Sequence, residues 1–152
     1  EEGDLFIIDT GSVFDSYYCD FDRNYAFGSI SEKAKKAYRV TYEATEAGFK
    51  AAQVGNTTSD IFNAMNNVLQ KGGALGNTVG RLGHGLGMQL TEWPSNTASD
   101  NTVLEPGVVL TLEPGMAFLP GKEMVHEENI VITEDGPEWL SIRAAEELPI
   151  IQ

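Results

Sequence analysis

LFIIDTGSVFDSYYCDFDR, residues 5–23, decides how this chain is read. Phe6, Ile7 and Ile8 on one side and Tyr17, Tyr18 and Phe21 on the other are β-formers. Two strands, Asp4–Ser12 and Tyr17–Phe27, are expected. Asp9 and Asp20 are equidistant from the Phe14–Asp15 junction. Residues equidistant from a hairpin turn lie opposite each other on one face, so the two carboxylates would stand side by side. Asp9 follows two isoleucines and is expected to point inward from a buried strand. An inward acid costs several kcal/mol unless it is paired or bound to a metal.

A second acid pair repeats the pattern. Glu113 (TLEPGM) and Glu127 (MVHEEN) are equidistant from Pro120 in the turn-like LPG at 119–121. Between the two hairpins lies His84 in the glycine-rich run GRLGHGLG. Any one of these residues alone is more often solvated surface or core. Four converging carboxylates and an imidazole together make a poor apolar core and a good site for two divalent cations. Two ions about 3.5–4 Å apart can share a water and lower its pKa toward neutrality. Mn²⁺, Fe²⁺, Co²⁺ and Zn²⁺ all suit such a donor set, and the sequence does not choose among them.

The rest of the chain supplies a scaffold. At 152 residues and 41% hydrophobic composition it suits one domain with one core. A helix is expected from Glu32 to Gln53 with Ser31 as its N-cap, burying Tyr38, Tyr42, Thr45 and Phe49. A second is expected from Thr57 or Thr58 through Leu69, stopped by Lys71-Gly72-Gly73. Ala74–Leu90 reads as glycine-rich, turning into a strand near Gly87, and Ser95–Leu104 as a loop. Strands follow at Val108–Glu113, Glu123–Thr133 and Glu138–Ser141. Strands, two helices and strands again give an α+β class, with helices on one face of a mainly antiparallel sheet. The formal charge of −13 argues against nucleic acid and anionic membrane surfaces as partners, and no apolar run is long enough to cross a bilayer. One cysteine, Cys19, points to a reducing, cytoplasmic setting. Glu1-Glu2-Gly3-Asp4 leads straight into a strand, as an internal segment of a longer protein would.

From Gly3 to Leu140 the chain resembles the pita-bread metallopeptidases: methionine aminopeptidase, aminopeptidase P, prolidase and their non-peptidase relative creatinase. GDLFIIDTG and CDFDR resemble the two aspartate strands, GRLGHGLG the ligand histidine, LEPGVVLTLEPGM the glutamate strand, and VHEENIVITEDGPEWL the last ligand segment. The resemblance implies a curved, mainly antiparallel pita-bread sheet over residues 1–152, as a catalytic domain lacking its N-terminal segment. It implies that Asp9 and Asp20 hold one ion and that Asp20, His84, Glu113 and Glu127 hold the other, with Glu127 bridging. Glu113 would also act as general base, with His84 beside it in the catalytic pair. The implied activity is Xaa-Pro dipeptidase-like or aminopeptidase-like cleavage of a small peptide or amide, in a protein that forms homodimers.

Three positions depart from the family pattern and bear on the substrate pocket. Thr91 stands where a second histidine is usual, Trp93 where a small residue precedes proline, and Asp22 where Thr or Ser is usual. They keep open a creatinase-like hydrolase of a small amide or zwitterion, a dimethylsulfoniopropionate-type lyase, and a non-catalytic binding domain. Asp9-Thr10-Gly11-Ser12 also resembles an aspartic-protease loop, but no second such motif occurs, and two long helices fit that β fold badly. His126 is expected to face away from Glu127 and serve structure.

Overall fold

Asp15 and Ser16 both take positive φ, 49° and 72°. Two left-handed residues make the two-residue turn whose twist suits a hairpin. The computed structural model describes residues 1–76 and 80–152, and this turn joins its first two strands, β1 (Leu5–Phe14) and β2 (Tyr17–Phe27). The turn lies one residue further along than the spacing of Asp9 and Asp20 suggested. Centring it on Phe14–Asp15 would force a bulky aromatic residue to positive φ, which sterics disfavour. In consequence Asp9 pairs with Asp22, and Asp20 pairs with Gly11. Moving the centre by one residue changes each partner by two, so all three acids keep one face.

The expected burial of Asp9 is overturned. β1 is the edge strand of a three-stranded sheet ordered β1-β2-β10, where β10 is Ile150–Ile151, and Asp9 is exposed. On β2 the alternate residues Asp20, Asp22 and Asn24 are buried.

Helix α1 (Glu32–Ala51) begins as expected, with the Ser31 hydroxyl accepting from Ala34 N at 3.2 Å. It ends two residues before Gln53, where Asn56 Nδ2 donates to the Ala51 carbonyl. Helix α2 (Thr58–Gly72) opens with a reciprocal Thr57–Asp60 capping box and runs three residues past Leu69, to a left-handed Gly73. Both helices contribute to one core, in which Ile61, Met65, Leu104, Leu110, Leu112, Met124 and Ile130 are fully buried. Each such aliphatic side chain contributes about 1.5–3 kcal/mol relative to exposure.

The strand side of that core is a five-stranded antiparallel sheet ordered β4-β3-β5-β8-β9. Its members are β3 (His84–Gly85), β4 (Glu92–Ser95), β5 (Val109–Leu112), β8 (Glu128–Thr133) and β9 (Gly136–Trp139). A ribbon of β6 (Gly115–Leu119) and β7 (Lys122–Val125) extends from it. Leu112 pairs with Glu128 and Gly115 with Val125, and His126 N donates to the Pro114 carbonyl at 3.1 Å. Every one of these pairs is equidistant from Pro120, as the spacing of Glu113 and Glu127 predicts. The long strand expected over Glu123–Thr133 is broken at His126-Glu127, and the one ending at Glu113 stops at Leu112. Pro114 has no N–H to continue the ladder. The strand expected near Gly87 lies at His84–Gly85. Glu92–Ser95, which holds a Trp-Pro pair, is also a strand, ending on the first residue of the expected Ser95–Leu104 loop.

Candidate metal centre

His84 occupies a two-residue strand squeezed between β4 and β5. A side chain on Gly83, where φ is 123°, would collide with the Thr111 carbonyl, and one on Gly85 with the carbonyls of Glu92 and Trp93. The flanking glycines therefore let His84 sink between two backbones, leaving it 2% exposed. Its amide donates to Thr111 Oγ1 at 3.1 Å, and its ring Nδ1 lies 2.9 Å from the Gly85 carbonyl. That carbonyl calls for a proton on Nδ1, which frees the lone pair of Nε2. Nε2 points at three carboxylates: Asp20 and Glu127 at 3.8 Å and Glu113 at 3.9 Å. Burial holds the imidazole below its ordinary pKa, and Arg81 adds to this, so the ring is the neutral form a metal requires.

The hairpin delivers its acids from the other side. Asn129, on β8, grips the backbone of Asp20. Its Oδ1 accepts from Asp20 N at 3.0 Å and its Nδ2 donates to the Asp20 carbonyl. Asn24 Nδ2 donates to the Val125 carbonyl at 2.6 Å. Two clusters result, with ligand atoms within 4.8 Å of one another in each: Asp20, His84 and Glu127, and Asp9, Asp22 and Glu127. Glu127 belongs to both. Asp22 stands where the spacing had placed Asp20, directly opposite Asp9.

These carboxylates are held in an unfavourable environment. Burial, then the charges of Glu113, Asp20 and Asp22, push Glu127 up to about 9. Burial, then Asp9, Glu113 and Asp20, push Asp22 up to about 7. Burial and Asp9 push Asp20 up to about 6 against the pull of Arg81. Burial raises Glu113 as well, again opposed first by Arg81. Among the described residues, Asp22 Oδ1, Glu113 Oε2 and Glu127 Oε1 are buried with no hydrogen-bond partner. Buried acceptors without donors are costly, and cations are what such oxygens lack. Carboxylate oxygens with one imidazole nitrogen fit divalent ions of the Mn²⁺-to-Zn²⁺ series.

The remaining candidates lie elsewhere. Thr91 is exposed on the turn into β4. Trp93 presents its ring to solvent, 74% exposed, beside a cis bond to Pro94. His126 faces away from the carboxylates and packs edge-on against Tyr38 and Tyr42, with centroids 4.9 and 5.6 Å away. Burial drives it down to about 3, so it stays neutral. A cavity of about 650 Å³ lies on the opposite face of β2, lined by Cys19, Phe21, Arg23 and Tyr25 among others. The sequence reading overlooked Thr111, Asn129 and Arg81. Thr111 and Asn129 each sit two residues from a candidate ligand glutamate, on the same side of an extended chain, and that alternation is the signal that could have found them.

The sequence profile of metallopeptidase family M24 matches residues 1–135. The Xaa-Pro dipeptidase of Pyrococcus furiosus is 34% identical over 142 residues, which cover 93% of this chain and 40% of that protein. The Xaa-Pro dipeptidase of Lactobacillus helveticus is 34% identical over 137 residues, or 90% of this chain and 37% of that protein. A crystal structure of a dipeptidase from Pyrococcus horikoshii superposes with a TM-score of 0.92 at 31% identity, covering 99% of this chain and 42% of the other. The α+β architecture is thus the pita-bread fold. The chain spans about 40% of the length of the curated relatives it matches.

Proposed function

The chain belongs to metallopeptidase family M24, and we propose that it is the metal-binding part of a hydrolase that cleaves a peptide or amide bond in a small, Xaa-Pro-like substrate. The observation that carries this reading is the convergence of Asp9, Asp20, Asp22, His84, Glu113 and Glu127 on one place, with buried oxygens that lack donors. Asp20, His84, Glu113 and Glu127 would hold one divalent ion, and Asp9 and Asp20 with Glu127 the other. Bound there, the ions would supply Lewis acidity for the scissile carbonyl and bring a water within range of deprotonation at neutral pH.

The residues of the chain supply the rest. Glu113 is the least enclosed acid of the His84 cluster, and its raised pKa suits it to take a proton from the attacking water and return it to the leaving amine. His84 stays neutral and oriented by the Gly85 carbonyl. Asn129 fixes Asp20, so the hairpin acids keep their places without a rearrangement of backbone. Cys19 is free, which supports a reducing, cytoplasmic setting, and the family resemblance supports a homodimer.

Activity is tested on the full chain with Mn²⁺, Co²⁺, Fe²⁺ and Zn²⁺ in turn, against Xaa-Pro dipeptides, small amides and sulfonium zwitterions. Hydrolysis of an Xaa-Pro dipeptide is expected with at least one metal, and Glu113→Ala should lower kcat by about 10²–10⁴-fold. Turnover of the amides or zwitterions alone would move the assignment to the creatinase-like or lyase reading. A protein that takes up no metal and turns over nothing would leave a binding domain.

A further inference from the structure

Asp22 is the acid that the family resemblance did not place among the ligands, and its surroundings are those of a ligand. The hairpin register sets it opposite Asp9, and its carboxylate, that of Asp9 and that of Glu127 offer oxygens within 4.8 Å of one another. The side chain is 5% exposed, and Oδ1 is buried with no hydrogen-bond partner among the described residues. The adjacent cation does not serve it. Arg23 points to the opposite face of β2, where its guanidinium donates to the main-chain carbonyls of Asp22, Glu127 and Ile142 and to Glu128 Oε2. Glu127 likewise has an unpartnered Oε1 and is 2% exposed. Two enclosed carboxylates and a third at the rim therefore meet; Thr111 donates to Glu127, but among the described residues Asp22 Oδ1 and Glu127 Oε1 have no donor.

We propose that Asp22 is a direct ligand of the ion held by Asp9 and Glu127. This rests on the metal-centre reading above and makes the two positions chemically unequal. One is built from carboxylates alone: Asp9, Asp20, Asp22 and Glu127. The other includes the Nε2 of His84. All-oxygen sites suit harder ions such as Mn²⁺ and Mg²⁺, and an imidazole nitrogen favours Zn²⁺, Co²⁺ or Fe²⁺. The centre is accordingly suited to two different metals, with the harder one on the hairpin side.

The test is metal binding to the full chain, stripped with chelator and titrated with Mn²⁺ and, separately, Zn²⁺, by calorimetry with paramagnetic resonance for Mn²⁺. Two steps are expected. Asp22→Asn, which removes charge and keeps shape, should weaken one Mn²⁺ step by at least about tenfold and leave the other within about twofold. His84→Asn should weaken the other step, and more for Zn²⁺ than for Mn²⁺. Visible absorption of the Co²⁺-loaded protein should intensify in Asp22→Asn as coordination number falls, a signature that a merely supporting acid would not give. Asp22→Thr provides the same comparison with a different side chain, should the Asn variant fold poorly. Two unchanged steps, or two steps weakened equally, would overturn the assignment while leaving the metal centre standing. A wild-type chain that binds no ion would overturn the metal-centre reading itself, so the two failures are told apart.

Discussion

The two acid-bearing hairpins differ in where their carboxylates sit. β1–β2 is a separate ribbon whose outer strand is an edge, and its Asp9 is exposed. The β5–β8 pairing lies inside a five-stranded sheet over the helices, and its Glu127 is 2% exposed. Among Asp20, Asp22 and Glu127, exposure falls from 8% to 5% to 2% while the pKa climbs from about 6 to about 7 to about 9. The same side-chain chemistry is thus progressively harder to ionise toward the inner hairpin.

The sharpest way to break this contrast is substitution of the shared acid. Glu127→Gln is expected to weaken both metal positions by more than about 100-fold, whereas Asp9→Asn should weaken one of them; metal content after gel filtration distinguishes the two variants. A smaller effect is expected from pH. The carboxylates of Asp20, Asp22 and Glu127 are raised above their ordinary values of 3.8, 3.8 and 4.5. The metal-free native state therefore binds more protons than the unfolded chain. The contribution of these carboxylates to its stability is full below about pH 4 and is lost as pH rises through about 6, 7 and 9. Thermal melts in chelator should show the melting temperature dropping across that window, and saturating metal should remove or reverse the slope, because metal binds the ionised acids. The smallest effect should come from Asn129→Ala, which cuts one of the links between the hairpins while leaving every acid in place. It is expected to cost about 1–3 kcal/mol in urea unfolding, because the Asp20 backbone groups lose their buried partner.

Much of this arrangement was legible before the fold was seen. The caps at Ser31 and Thr57 are local hydrogen-bond chemistry, and the pairing of residues around Pro120 follows from strand periodicity alone. The first hairpin was legible as a hairpin but not in register, since its turn depends on which residues tolerate positive φ. Asp9 looked inward because it follows two isoleucines. Edge position, a property of the whole sheet, decided otherwise. β3 is two residues long and has no periodicity to read, and β4 carries Pro94 in mid-strand. The roles of Asn129 and Arg81 are tertiary: one binds a backbone more than a hundred positions away in sequence, and the other acts through space on Asp20 and Glu113.

The proposed ligand set is divided between two sheets. Asp9, Asp20 and Asp22 ride on the three-stranded one, while His84, Glu113 and Glu127 lie in or at the strand ends of the five-stranded one. A cation drawing on both groups would rivet one sheet to the other across their seam. Loading the centre would reinforce a seam already held by Asn129 and Asn24, and amide protons of Tyr17–Phe27 would exchange more slowly once the rivet is in.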